Sequence, residues 1–137
     1  MQMTWNQALS VGDELIDSQH RAFFDEVNAV VSALASGAPR QQVQRFHSDF
    51  IIGLARHFRD EELLLARVNY PDFDHHQAEH RALMASVTAL AEILACADTH
   101  TELLMVVRNT VTALVEHMAL EDMRYRRYVS GSRAESW

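Results

Sequence analysis

Four stretches of this chain repeat an apolar side chain every three to four residues, with few breakers between them. That spacing marks one face of an α-helix. The first stretch, 17–36, carries Phe23/Phe24, Val27, Val30/Val31 and Leu34; Asp17 or Ser18 can cap it, and Gly37 with Pro39 ends it. The second, 40–68, starts after Pro39 and carries Val43, Phe46, Phe50, Leu54, Leu64/Leu65 and Val68 before Asn69-Tyr70-Pro71 breaks it. The third, 72–97, has Asp72 or Asp74 near its start and carries Phe73, Leu83/Met84, Val87, Leu90 and Leu94. The fourth, 100–129, carries Leu103, Val106/Val107, Val111, Leu114 and Met118; Thr99 and Glu102 stand at capping-box spacing, and Ser130-Gly131-Ser132 ends it. Four glycines and two prolines in 137 residues are too few turn formers for an all-β protein. Short connections make neighbouring helices antiparallel. The expected architecture is therefore all-α, an up-down-up-down antiparallel four-helix bundle. It forms one domain over 1–137, with an irregular N-terminal arm at 1–16 and a loose tail at 130–137.

Charge and composition remove several function classes. A net charge of −7, from 19 acidic and 12 basic residues, argues against nucleic acid and anionic lipid as partners. The single cysteine, Cys96, excludes an intrachain disulfide and a CxxC site, and reads as a small core residue. The methionines read as core filler and Arg124–Arg127 as a solvated helix end. No basic segment followed by an apolar run opens the chain, and Leu103–Val107 is too short to cross a bilayer. A soluble cytoplasmic protein without membrane insertion is expected, and without an exposed heptad seam it is expected to be a monomer.

Eight histidines stand out. Extending each stripe by its own period lands on His20 in the first helix, His57 and then Glu61 in the second, His76 and His80 in the third, and His117 in the fourth. Every apolar face is thus interrupted by imidazole, and a buried unpaired imidazole or carboxylate costs several kcal/mol. In an up-down-up-down bundle, the starts of the first and third helices lie beside the ends of the second and fourth. All these residues therefore share one end of the bundle, which unrelated core histidines have no reason to do. His57/Glu61 and His76/His80 are i, i+4 pairs, about 40° apart, so each pair can face one point. On the fourth helix Glu121 lies i+4 from His117 and Asp122 i+5, about 140° round; geometry alone leaves both open. Five imidazoles and two carboxylates exceed one tetrahedral zinc site; they suit two metal ions bridged by carboxylate, and a nitrogen-rich set suits iron. His47, His75 and His100 fall outside this pattern and read as structural or surface groups.

These residues resemble the hemerythrin family, specifically its single-domain bacterial members. The matching motifs are Ile16-Asp-Ser-Gln-His20, His57-Phe-Arg-Asp-Glu61-Glu62, Tyr70-Pro71 followed by His76-x-x-x-His80, and His117-x-x-x-x-Asp122, with Trp5 and Val11-Gly12 ahead of the first helix. The resemblance implies a non-haem di-iron centre with an oxo or hydroxo bridge. His76, His80 and His117 would hold one iron, His20 and His57 the other, and Glu61 and Asp122 would bridge them. It implies O2 as ligand, bound at the iron with fewer histidines. It also implies an O2 pocket lined by Phe58, Ala113 and Leu120, with Ala113 standing where many relatives carry tryptophan and Leu65 where bacterial relatives often carry methionine. An enlarged pocket and faster autoxidation are the expected consequence of Ala113.

The implied function is reversible O2 binding for storage, delivery or buffering, rather than enzymatic turnover. The alternative is oxygen, peroxide or nitric-oxide sensing or turnover at the same centre. No glutamate is followed three residues later by histidine, the pair used by carboxylate-rich di-iron oxygenase bundles, which favours reversible binding.

Overall fold

The computed structural model describes residues 3–135, with side chains through residue 131; Met1 and Gln2 of the expected arm and Ser136 and Trp137 of the expected tail lie outside the described residues. Four helical rods form the expected bundle: α1 (Glu14–Ala35), α2 (Arg40–Arg67), α3 (Phe73–Cys96) and a fourth rod in which α4 (His100–Glu116) runs through a π turn (His117–Asp122) into α5 (Met123–Glu135). α1 packs on α2 and α4, and α3 packs on α2 and α4, so the helices stand at the corners of a square with antiparallel neighbours.

The helix ends follow from local chemistry. α1 and α2 both finish in a left-handed residue. Gly37 (φ 80°) is one; there the Ala38 amide returns to the Ala33 carbonyl (2.9 Å) and the Gly37 amide to that of Leu34 (3.1 Å). Asn69 (φ 54°) is the other, with the Tyr70 amide bonded to the Leu65 carbonyl (3.0 Å) before Pro71 prevents continuation. Thr99 caps α4 by accepting from the Glu102 amide (3.1 Å), while Glu102 accepts from the Asp98 amide rather than from Thr99 itself, a capping box displaced by one residue. At the end of the bundle away from the histidines, Arg40 donates to the Leu94 carbonyl (2.6 Å) and to that of Ala97, and His100 donates to the Ala38 carbonyl (2.7 Å). His47 donates to the Val87 carbonyl (2.6 Å), tying α2 to α3. Two of the unassigned histidines are thus clamps between elements.

Several sequence expectations change. α1 begins at Glu14, capped by Asp13, whose side chain accepts from the Ile16 amide (3.1 Å). Asp17 is instead buried one turn inside, where it accepts from the Ser10 hydroxyl (2.5 Å) and the Val11 amide (2.9 Å) and pins the arm. The arm itself contains a short 3-10 turn, Gln7–Leu9. The fourth rod does not stop at Ser130-Gly131-Ser132 but stays helical to Glu135, so the described part of the expected tail is helix. A glycine within a helix weakens it by only about 1 kcal/mol, and Tyr125 and Val129, on the same helix ahead of Gly131, are buried. Cys96 is exposed, because at the last residue of α3 it lies to the side of the Leu90–Leu94–Ala97 face. Met105 is likewise exposed, whereas Met118 is core.

His100–Gly131 contains a window of mean hydropathy 1.3, long and apolar enough by composition to cross a membrane. In the fold its Leu103, Val111, Leu114 and Met118 are buried. The bundle is packed apolar at both ends and in the middle. Leu34, Val43, Leu94 and Leu103 cluster at the far end, and Leu54, Phe58, Val87 and Leu114 at mid-height. Val11, Ile16, Leu64, Leu65, Tyr70, Tyr125 and Val129 form the cluster nearest the four-histidine end of α1 and α3. The polar cluster lies between that last group and mid-height.

Candidate metal centre

Seven polar side chains converge in this gap. His20 comes from the second turn of α1, His57 and Glu61 from the second half of α2, His76 and His80 from the start of α3, and His117 and Asp122 from the π turn. All but His57 are buried. Their donor atoms form two overlapping groups whose members lie within 4.8 Å of one another: Glu61, His76, His80, His117 and Asp122 in one, and His20, His57, Glu61 and Asp122 in the other.

The carboxylates are divided between the groups oxygen by oxygen. Glu61 Oε1 stands 2.6 Å from His76 Nε2 and 2.9 Å from His80 Nε2, while its Oε2 faces His57 Nε2 (3.6 Å) and His20 Nε2 (3.8 Å). Asp122 Oδ1 lies 3.1 Å from both His76 Nε2 and His117 Nε2, and its Oδ2 lies 3.3 Å from His20 Nε2. The π turn explains how Asp122 gets there. Its i, i+5 bonding widens the helix, so residues five apart point the same way and Asp122 joins His117 inside. Glu121 is left at the rim, 3.3 Å from the exposed His75 and 3.8 Å from Arg124.

The outward nitrogens are held by residues that stripe analysis did not single out. His57 donates Nδ1–H to Gln19 Oε1 (2.8 Å), and Gln19 in turn donates to Asp60 (2.8 Å). His80 donates Nδ1–H to Glu62 (2.9 Å), which also accepts from Gln77 (2.7 Å). Such bonds hold each ring so that Nε2 is the nitrogen aimed at the centre and the one a metal would take. Phe58 stacks on the His80 ring (3.9 Å between centroids, 10° apart). Tyr125, fully buried, donates its hydroxyl to Glu61 Oε2 (3.1 Å). A signal for Gln19 and Glu62 lies in their adjacency to His20 and Glu61; Tyr125 is one turn beyond Asp122.

The electrostatics describe a cluster that requires positive charge. Burial and the charge of Asp122 push Glu61 up, but hydrogen bonds from His76 and His80 and the charge of His57 bring it down to about 2. Asp122 is driven well below the usual range: burial raises it, but the imidazoles of His117, His20 and His76 close around it prevail. Burial lowers His76, yet the adjacent Asp122 and Glu61 carboxylates lift it to about 10; burial takes His57 down to about 4. Protons on imidazole thus supply the cationic charge that two buried carboxylates need. The satisfaction is incomplete, because His117 Nε2 and Asp122 Oδ1 are buried without a hydrogen bond of acceptable geometry. Unpaired donor atoms in a set of imidazoles and shared carboxylates are what a metal pair would complete, so the residues fit such a group.

A cavity of about 220 Å³ adjoins the centre. His20, His57, His117 and Asp122 line it, with Phe23, Phe50, Leu54, Phe58, Leu114 and Met118 as its apolar wall; His76 and His80 do not reach it. Phe58 lines this cavity, whereas Ala113 and Leu120, expected beside it, do not. Both side chains are exposed, Leu120 at 64 %, and neither lines the cavity. The inward face of the fourth rod runs through Val111, Leu114 and Met118, and the wide turn leaves Ala119 and Leu120 outside.

The family model of the hemerythrin HHE cation binding domain matches residues 11–129. The chain belongs to the hemerythrin family. This hemerythrin is 24 % identical over 129 residues to a bacteriohemerythrin of Campylobacter jejuni, covering 92 % of this chain and 95 % of that one. It is 34 % identical over 85 residues to a bacteriohemerythrin of Methylococcus capsulatus, covering 60 % and 63 %. A crystal structure of wild-type hemerythrin superimposes with a TM-score of 0.81 at 27 % identity, over 93 % of this chain and 98 % of the other. The match spans all four rods and all seven converging residues, and the domain is a metal-binding one.

Proposed function

We propose that this hemerythrin is a non-haem di-iron protein that binds O2 reversibly. His76, His80 and His117 hold one iron, His20 and His57 the other, and Glu61 and Asp122 span both. The observation that carries this is the division of both carboxylates, one oxygen toward the three-histidine group and one toward the two-histidine group. When bound, a ferrous pair supplies two electrons and, on its less-coordinated side, room for O2.

The protein's own residues set the conditions for reversibility. The two-histidine side faces the apolar cavity, so a small uncharged ligand arrives there while bulk water is disfavoured by Phe23, Phe50, Leu54 and Leu114. Gln19 and Glu62 keep His57 and His80 in the tautomer that presents Nε2 inward. Tyr125 holds Glu61 in its spanning orientation.

The test is optical. Iron-loaded protein is reduced without oxygen, and visible spectra are recorded, then repeated under O2 and after O2 is removed. Charge-transfer bands that appear with O2 and vanish on its removal support carriage. Irreversible oxidation at first exposure contradicts it, and failure to take up iron defeats the di-iron reading.

A further inference from the structure

The histidine end of the bundle carries a surface feature that oxygen binding does not use. On α5, Arg124, Arg126 and Arg127 line one groove of about 780 Å³ with Tyr70, Tyr128 and Asp72, in a chain whose net charge is −7. Arg127 lies 5.0 Å over the Tyr128 ring and donates to its hydroxyl (3.1 Å). All three of the chain's tyrosines meet here. Tyr128 packs edge-on against Tyr70 (5.2 Å between centroids), which in turn meets both Tyr125 (6.1 Å) and His76 (6.2 Å). Tyr125 donates to Glu61. One ring, Tyr70, therefore separates half-buried Tyr128 from His76, on the side of the centre away from the apolar cavity.

A di-iron carrier whose two irons have both been oxidised to the ferric state stays inactive until two electrons are returned. The 220 Å³ cavity cannot admit a protein donor. We propose that the arginine groove is the docking site of a small acidic one-electron carrier protein, coupled to the metal centre through Tyr128, Tyr70 and Tyr125. The proposal rests on the di-iron reading. In each encounter the carrier loses one electron and one ferric ion becomes ferrous; two encounters restore the pair. No bond forms or breaks, and the tyrosines stay neutral phenols. Arg124 is shared with Glu121 (3.8 Å), and the exposed guanidinium groups of Arg126 and Arg127 beside Asp72 select carboxylate-rich partners and accelerate encounter in a salt-dependent way.

Flavodoxin hydroquinone, an acidic one-electron donor, serves as probe in stopped-flow reduction of the oxidised iron-loaded protein at low and high ionic strength. The double variant R126E/R127E is expected to slow the second-order rate about tenfold or more and to abolish its salt dependence. Reduction by photoreduced lumiflavin, small and uncharged, stays within about twofold. Tyr128→Leu is expected to lower the limiting rate at saturating flavodoxin without moving the half-saturating concentration. A second readout needs no iron: oxidised flavodoxin titrated into the metal-free protein shifts the amide resonances of Arg126, Arg127 and Tyr128, and R126E/R127E removes the shifts. An unchanged flavodoxin rate in R126E/R127E overturns the proposal, as does an equal loss in the control R45E/R108E. Failure of the wild type to load iron overturns the di-iron reading alone, since the metal-free titration still decides docking.

Discussion

Replacing Tyr125 by phenylalanine removes one oxygen from a fully buried side chain and little else. The ring contacts with Tyr70 (6.1 Å) and His76 (5.6 Å) are kept, so the apolar burial hardly changes. What disappears is the 3.1 Å hydrogen bond to Glu61 Oε2, an ionised acceptor with no exposure to water. A hydrogen bond to a charged group contributes about 1.5–3 kcal/mol. In urea unfolding of the metal-free protein at pH 7, with m of about 2 kcal/mol/M, Y125F should lower the midpoint by roughly 1 M. The pH dependence has a definite sign. Glu61 is depressed in the fold from 4.5 to about 2, so its charged-state contribution is complete above pH 4.5 and lost as pH falls toward 2. The gap between wild type and Y125F should narrow over that interval, because a protonated Glu61 is no longer a charged acceptor. A gap under about 0.5 kcal/mol at pH 7, or one that widens on acidification, refutes the reasoning. Tyr128→Phe, whose hydroxyl only accepts from an exposed Arg127, is the comparison and should lie within about 0.5 kcal/mol of wild type.

Asp122→Asn should reduce metal content to one ion or fewer per chain, whereas Glu121→Gln, outside both donor groups, should leave it unchanged; metal analysis of the purified variants decides. Gln19→Leu should weaken metal binding on the two-histidine side by about 10–100-fold, because the His57 tautomer loses its partner, and chelator competition measures this. Metal affinity should rise with pH between 6 and 8. His76, lifted to about 10, and His20, also raised, must surrender protons to the metal, whereas His57, lowered to about 4, has none to give; a flat profile in anaerobic competition titrations contradicts this. Ala113→Trp should leave the autoxidation rate within about twofold, since position 113 faces outward, and a marked slowing would put it back in the pocket.

The bundle was legible because helical period, scarcity of glycine and proline, and polar interruptions at one end all agree. His20, His57, His76 and His80 follow by stepping along stripes of period 3.6, and the structure brings them into two donor groups that share Glu61 and Asp122. The supporting atoms were hidden for a physical reason. Gln19, Glu62 and Gln77 are flank residues whose amphiphilic positions look like ordinary surface until the outward nitrogen of each imidazole is located. The starts and ends of helices also slipped, because Asp17 has a capping side chain but spends it on Ser10 and Val11, and Asp13 serves instead.

The fourth rod shows where periodic reasoning stops working and why. A uniform 3.6-residue period carries Glu121 into line with His117 and leaves Asp122 about 140° away. The π turn exchanges those roles: Asp122 is buried, and Glu121 reaches the rim to meet His75. The same widened turn leaves Leu120 on the solvent side, so a pocket lining carried over to Leu120 by position in sequence does not hold in space. The distortion is compensated locally. Its widened backbone gives up regular α-helical bonding over His117–Asp122, and in exchange two donors from one turn reach the same cluster. No straight helix presents residues five apart to one point. The spacing His117-x-x-x-x-Asp122 is therefore itself the sequence mark of the distortion, provided the two residues are required to meet.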